Sequence, residues 1–571
     1  MAVLTLATYS LRVGGTALDV VENQLALSMD EGNSPWLTAA ATIARPSDAI
    51  AELLRPDQKS PVTLTTTATG TPTLSLTLRV IDWSFSPDDD RITLSLASNE
   101  YQMLEYSPTG DINLGSDVYQ GSTAAIVNRV LTTTYGTATS AVLSGVADKP
   151  FKTFSEVKNM IPNGSFEASS GLWTASQATL LQDTARQKFG TYSLRITPNS
   201  TSTSSYITMP VPLTPGQTYT YSAYFYTAGT LQSGTSISDA RKLQVGGTIT
   251  NGQWLVRSAQ VPNQTNLQQR ISMTFTVPWN VEDTFVRVIN GYTNTADNRI
   301  NVDGILLVEG DGMDTNGNPI EYFDGDNPAT SDYTYTWDDT ARLSSSTRTA
   351  VLDRGPDVLT WSGGQTADEF LRPIVESLGW RLFLDEKARW VLTDNGYKVP
   401  GQVEMRSGST LYAGSEIASV QDEDADGFPM AADAVIVKYS WTDWKGVERT
   451  KSDVATTAGY SRPYVLEKED TPYPGPGQAA YLLARLQART RRLDAIGRPA
   501  WSARPGMDAI VTLPNRPSAS GYVQALTWAF SDNSMTVTTK GLVTLVTGSI
   551  GKAPATQTIG SVASTIGAYT N

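Results

Sequence analysis

Apolar and polar residues alternate with period two along much of this chain. LTLATYSLRV, NQLALSM, LTAAATIA, SPVTLTTTAT, TLSLTLRVIDWSF and RITLSLAS, all before residue 105, alternate or run β-branched between Gly, Pro and Asp turns. They predict a closed or nearly closed β-barrel. Asp88, Asp89 and Asp90 fall in one of its turns and read as a solvated hairpin tip. The period then changes to 3.6: in STAAIVNRVLTTTY, Ala125, Val127, Val130 and Leu131 lie at helical spacing.

From about Asn159 to Ser346 the composition differs, rich in Thr, Ser, Asn and Tyr. KFGTYSLRITP, SSYITMPVPL, TYTYSAYFYTAG, RKLQVGG, GQWLVRSAQV, ISMTFTVPW, TFVRVING and NRINVDGILLVEG are evenly spaced strands with turns between, the mark of a β-sandwich or jelly roll. After residue 346 the chain regains the character of its first segment. TADEFLRPIVESLG predicts a helix with Thr366 as N-cap, Phe370, Leu371, Ile374, Val375 and Leu378 as its apolar side, and Gly379 as its end. WRLFL-DEKA-RWVLTD reads as a hairpin, AADAVIVKYSW as a strand and QAAYLLARLQARTRRL as a helix. MDAIVTLP, YVQALTWAF and SMTVTTKGLVTL close the chain as strands, and an aperiodic tail follows.

Neither flank looks complete by itself, so the middle reads as an insertion into one larger body, which exposed loop tips tolerate. The expected fold class is mainly β with some α. It comprises a β-barrel domain at 1–110, α+β segments at 111–158 and 347–480, and a jelly roll at 159–346. A helix with barrel strands follows at 481–545, then an exposed arm at 546–571.

Composition narrows the chemistry. The chain has no Cys and no His, which removes disulfides, thiolate nucleophiles, H-E-x-x-H zinc sites and the Ser–His triad. A hydrolase would have to work with carboxylates alone, as many glycosidases do. A formal net charge of −14 works against a phosphate-binding surface and suits a lumen that should not hold DNA. MAVLTLATYSLRVGG reads as a first strand rather than a signal peptide, and no stretch approaches the roughly 20 apolar residues of a membrane helix. No membrane anchor is expected, and synthesis is expected in the cytoplasm.

Taken in order, NGSFEASSGLW, KFGTYSLRI, LTPGQTYTYSAYFY, GQWLVRSAQV and INVDGILLVEG make the middle segment resemble the carbohydrate-binding jelly rolls attached to xylanases and glucanases. The resemblance implies a structural calcium (Ca2+) near Glu167, the turn at Gly190 and Asp303, a hard cation wanting oxygen ligands. The other reading makes both ordinary surface carboxylates. It also implies glycan binding, which needs aromatic rings to stack on a pyranose. If Tyr219, Tyr221 and Phe225 face inward, alternation turns Tyr224 and Tyr226 outward; Trp279 is the third candidate. In the other reading these aromatics cover the sheet or touch a neighbouring subunit.

EYFDGDNPATSDYTYTWDDTARLSSSTR, residues 321–348, is similar to a segment of minor tail proteins of phages infecting actinobacteria. The flanks, through TADEFLRPIVESLGWRLFLDEKARWVL and RPGMDAIVTLP…GYVQALTWAFSDNSMTVTTKGL, resemble bacteriophage tail hubs, the baseplate hub and late-control D family. That resemblance implies a homotrimeric ring at the tail tip of a virion. Its expected partners are distal tail or tail tube proteins, the tape measure protein, other tail tip proteins and host cell-surface glycan, while genomic DNA passes through without specific binding. The expected function is structural and non-catalytic; the alternative is a tail-associated, carboxylate-dependent cell-wall glycoside hydrolase. Asp422, Asp424, Asp426, Gly427 and Asp433 also match an EF-hand loop. Pro429, Asp at the last position and the strand that follows favour a solvated acidic loop instead.

Overall fold

The computed structural model describes residues 7–544, apart from 69–70, 87, 89, 155, 170–171, 200–203, 229–240, 263–265, 292–297, 315–317, 353, 419–431, 444–445, 461 and 490. The fold is mainly β with some α. It divides into a discontinuous unit, Met1–Leu114 with Val118–Phe151 and Asp357–Asn571, and an inserted unit, Gly115–Asp117 with Lys152–Pro356.

In the discontinuous unit, seven early strands pair in the order 16–18, 8–13, 61–67, 74–86, 91–98, 37–44 and 20–30. Their alternation buries Leu11, Val13, Leu25, Leu27, Val62, Leu64 and their counterparts in one core. The sheet does not stop there. Val20–Asp30 pairs with the second half of Ala519–Ala529, in the register Ala26↔Ala529 to Asp30↔Ala525. The first half of Ala519–Ala529 pairs with Asp508–Thr512, and its other edge with Ser534–Thr544. One long strand thus ties the beginning of the chain to its end, and both sets of strands share one apolar cluster.

Two smaller bodies complete this unit. The helices Thr123–Tyr135 and Ala367–Ser377 pack with the hairpin Trp380–Leu384/Trp390–Asp394 around Ile126, Phe370, Ile374, Trp361 and Trp380. The second helix begins in a capping box: Thr366 Oγ1 accepts from the Glu369 amide and the Glu369 carboxylate accepts from the Thr366 amide. Strands Ala434–Thr442, Glu448–Thr456 and Pro463–Lys468 form a three-stranded sheet whose core includes Leu483 and Leu486 of the helix Gln478–Arg489. That helix is shorter than its sequence suggests. Arg491–Gly497 is a strand, because Leu493 and Ala495 alternate into the main core and the segment pairs with Ser534–Thr544 and Leu411–Ala418.

The inserted unit is a sandwich of jelly-roll type, two five-stranded antiparallel sheets closing on one apolar core. One sheet has the order 174–176, 205–210, 282–291, 242–249, 252–257; the other 178–183, 193–198, 300–309, 218–227, 268–276. Its two ends meet: Val157–Asn159 pairs with Ser346–Ala350, which also pairs with Tyr333–Trp337. This explains why the unit reaches beyond 159–346. The opening motif is a closed loop. Asn163 sits at φ +50, its Nδ2 donating to the Ser169 carbonyl and its Oδ1 accepting from the Ala168 amide. Gly164 is required beside it, since a Cβ there would lie 2.3 Å from the Ile305 carbonyl oxygen. Phe166 and Trp173 are both buried, 6.3 Å apart.

Candidate functional site

Three places in the inserted unit carry chemistry. The first joins Glu167 and Asp303. Glu167 Oε1 accepts from the amides of Thr191 and Tyr192, both at 2.7 Å. Asp303 Oδ2 accepts from the amides of Lys188 and Phe189 at 2.6 and 2.8 Å, and its Oδ1 from Gly304 at 2.7 Å. Two carboxylates from opposite ends of the fold thus grip one turn. Burial pushes the Asp303 carboxyl up to about 7; the amide donors work against this and the charge of Glu167 adds to it. Both carboxylates converge on one turn, and Glu167 Oε1 and both Asp303 oxygens are already engaged by backbone amides. Among the described residues there is no group of three or more Asp or Glu that could hold a metal. A calcium ion there would need further oxygen ligands beyond these two carboxylates.

The second place is the strand Thr218–Thr227. Tyr219, Tyr221 and Phe225 point into the core, and Tyr224 and Tyr226 are half-buried on the other face. That face is partly occupied. The Tyr224 hydroxyl donates to Glu321 Oε2 at 2.7 Å, and burial followed by this carboxylate pushes its pKa up to about 12. Phe189 meets its ring edge-on at 5.4 Å, with Lys188 Nζ 5.5 Å from the centroid. The Arg186 guanidinium lies 4.0 Å from the Tyr226 centroid. One face of each ring is therefore taken by the chain's own cations. Further along, Leu306 and Val308 are covered by Ile320, Tyr322 and Phe323.

Trp279 does not join these tyrosines. It is 84% exposed, at a turn where its ring lies over Gly216 and the Gly216 amide donates to Val277. At about 3.3 Å per residue, the eight steps from Gly216 to Tyr224 put it roughly 26 Å away. Of the three aromatics expected to bind sugar, the structure brings two together and sets the third apart.

The third place is not apparent from the sequence. On the outer face of the other sheet the Arg287 guanidinium lies between two rings, 4.0 Å from Phe285 and 4.6 Å from Tyr206. Gln244 Oε1 accepts from Arg287 Nη1 at 3.2 Å, while Nε of Arg287 is buried with no partner. Tyr206, Phe285 and Arg287 are half-buried, and Leu255 beside them is exposed. Gly246 opens the floor: a Cβ there would strike Leu255 and Phe285 within 2.6 Å. A signal does exist, since Tyr206, Phe285 and Arg287 alternate with core residues in SSYITMP and TFVRVING.

Asp324 accepts from Ser165 and Tyr322 hydroxyls, and Asp326 from Trp337 Nε1 and Arg342 Nε. The FDGDN…YTYTW run thereby stitches the end of the inserted unit to its start. Asp433 accepts from the Arg462 amide at 2.6 Å; Asp422, Asp424, Asp426, Gly427 and Pro429, like the arm 546–571, lie outside the described residues.

No sequence family and no curated protein matches this chain. Among solved structures it is similar to a prophage 43 kDa tail protein from Shewanella oneidensis (10% identity, TM-score 0.38, covering 94% of this chain and 98% of that one). It is likewise similar to a tail protein from Neisseria meningitidis (9%, TM-score 0.39, 94% and 96%). A part is similar to a family 22 carbohydrate binding module from Clostridium thermocellum (18%, TM-score 0.21, covering 26% of this chain and 94% of that one). These TM-scores all lie below 0.5, and the functional reading rests on this chain's own residues.

Proposed function

We propose that this chain is a structural protein of a phage tail, a hub at the tail tip of the virion, whose inserted unit binds host-surface glycan without cleaving it. The observation that carries the reading is the pairing of Val20–Asp30 with Ala519–Ala529. It makes one continuous sheet of the first and last parts of the chain and leaves the glycan-module-like fold as a separate unit between them. The FDGDN…YTYTW resemblance and the net charge of −14 support a tail role, the charge because it repels passing DNA.

In this reading three copies form a ring that contacts tail tube or distal tail proteins, the tape measure protein and other tip proteins. The glycan lies on the Tyr206–Arg287–Phe285 face, where the ring faces not taken by Arg287 stack on a sugar and the guanidinium meets its hydroxyls. A calcium held by Glu167 and Asp303 with backbone carbonyls would fix the Lys188–Tyr192 turn. The test is to incubate the full chain with labelled host cell walls. Adsorption with no soluble sugar released is expected; release of sugar would favour the hydrolase alternative.

A further inference from the structure

The sheet that holds Arg287 is basic in an acidic chain. Its five strands read TAS, SYITMP, EDTFVRVING, KLQVGGTI and GQWLVR. They carry the cations Lys242, Arg257 and Arg287 and the acids Glu282 and Asp283. Both acids begin the strand that holds Arg287, roughly 13–17 Å away from it at about 3.3 Å per residue. The whole chain, by contrast, has a net charge of −14.

Strand pairing brings two of the cations to one place. Gln244 lies opposite Arg287 on one side and opposite Arg257 on the other, and residues directly opposite share a face of the sheet. Two strand spacings, roughly 10 Å, separate the Cα atoms of the two arginines. Gln244 between them is buried, and Arg257 is exposed. Neither arginine forms an ion pair among the described residues. The surroundings of Arg287 also decide how it can be used. Tyr206 and Phe285 flank its guanidinium, Nη1 is committed to Gln244, and Nε is buried. Nη2 has no partner among the described residues and is open to solvent. A sugar hydroxyl would take an ordinary hydrogen bond there. An anionic oxygen takes a charge-assisted one, roughly twice as strong, and answers the unpaired charges as well.

Resting on the glycan reading above, we propose that the glycan is acidic, a pyranose bearing a carboxylate or a phosphodiester. The sugar stacks on the ring faces of Tyr206 and Phe285 not taken by Arg287, its anionic group accepts from Arg287 Nη2, and Arg257 adds the second cation. Charge complementarity then discriminates against a neutral glycan of the same backbone.

The probe is purified host cell-wall glycan, immobilised and offered to the full chain at low salt. It is used untreated, after carboxyl reduction with carbodiimide and borohydride, and after hydrofluoric acid, which cleaves phosphodiesters. On untreated glycan Arg287→Gln should weaken binding at least tenfold and Arg257→Gln about threefold. Removing the anion, by one treatment or by both in succession, should weaken wild-type binding at least tenfold and erase the difference between wild type and Arg257→Gln. The effective treatment names the anionic group. Lys387→Gln, at an exposed position in the other unit, should change nothing, and circular dichroism melts confirm that each variant is folded. Equal losses in Lys387→Gln and Arg257→Gln would overturn the proposal as non-specific attraction. Binding that survives both treatments but falls in Tyr206→Ala would overturn the acidic ligand and leave the glycan reading standing. No binding to untreated glycan would overturn both.

Discussion

Glu167 and Asp303 hold one turn between them, each accepting two of its backbone amides. The cost falls on Asp303. Its ordinary pKa of 3.8 rises to about 7 through burial, so the folded chain holds this proton more tightly than the unfolded one. The stability linked to it is present below about pH 4 and is lost as pH rises through about 7. Calcium-free protein should therefore weaken between pH 5 and pH 8, by on the order of 3 kcal/mol at most. Glu100, raised to about 7 by its own burial, adds a slope of the same sign. The readout is thus the difference from Asp303→Asn, measured by urea unfolding; identical slopes would remove Asp303 from this role.

Calcium should reverse that weakness. Binding to the folded state alone stabilises by about 2.7 kcal/mol when the ion is at a hundred times its Kd. In calorimetry at pH 7.5 the transition of the inserted unit should rise with calcium and fall back with EDTA, and Glu167→Gln should abolish the response. An unchanged transition would leave the pair as a bracket for the turn and nothing more.

The proposed glycan face can be separated from the Tyr224–Tyr226 face and from Trp279 by adsorption to host cells. Each stacked ring contributes about 0.5–1.5 kcal/mol beyond its buried area, and three copies in the proposed ring would multiply that through effective concentration. Tyr206→Ala with Arg287→Ala should cut adsorption at least tenfold with little change in melting temperature. Tyr224→Ala with Tyr226→Ala, on the face where the Tyr224 hydroxyl is already bonded to Glu321, should leave it within about twofold. Trp279→Ala, made separately, reports on the isolated turn.

Each unit should fold alone. The inserted unit has its own clusters around Phe166, Tyr221 and Val302 and around Leu306 and Phe323, and the other unit has its own large core. Joining Phe151 to Asp357 with a short Gly/Ser linker should leave a chain that unfolds in one cooperative transition, since loop-closure cost grows slowly with length. An insoluble or non-cooperative product would mean that the units depend on each other.

Period-two alternation made most strands legible, because both units bury one face of each sheet, as in Leu194/Ile196 and Leu25/Leu27. The capping box made the helix at Thr366 legible. The pairing of Val20–Asp30 with Ala519–Ala529 was not, since sequence records nothing of partners so far apart. The same limit hid the arginine sandwich. Alternation puts Tyr206 and Arg287 on outer faces, but only the pairing of their strands sets them side by side. Alternation turned Tyr224 and Tyr226 outward correctly; what it did not record is that distant Lys188, Arg186 and Glu321 lie against them.

The central claim, a hub assembled as a ring, is tested most directly by the mass of the full chain in solution, supported by particle images. Light scattering at micromolar concentration should give about three times the 61.5 kDa of one chain, with rings enclosing a central channel in micrographs. A stable monomer with no ring would contradict it.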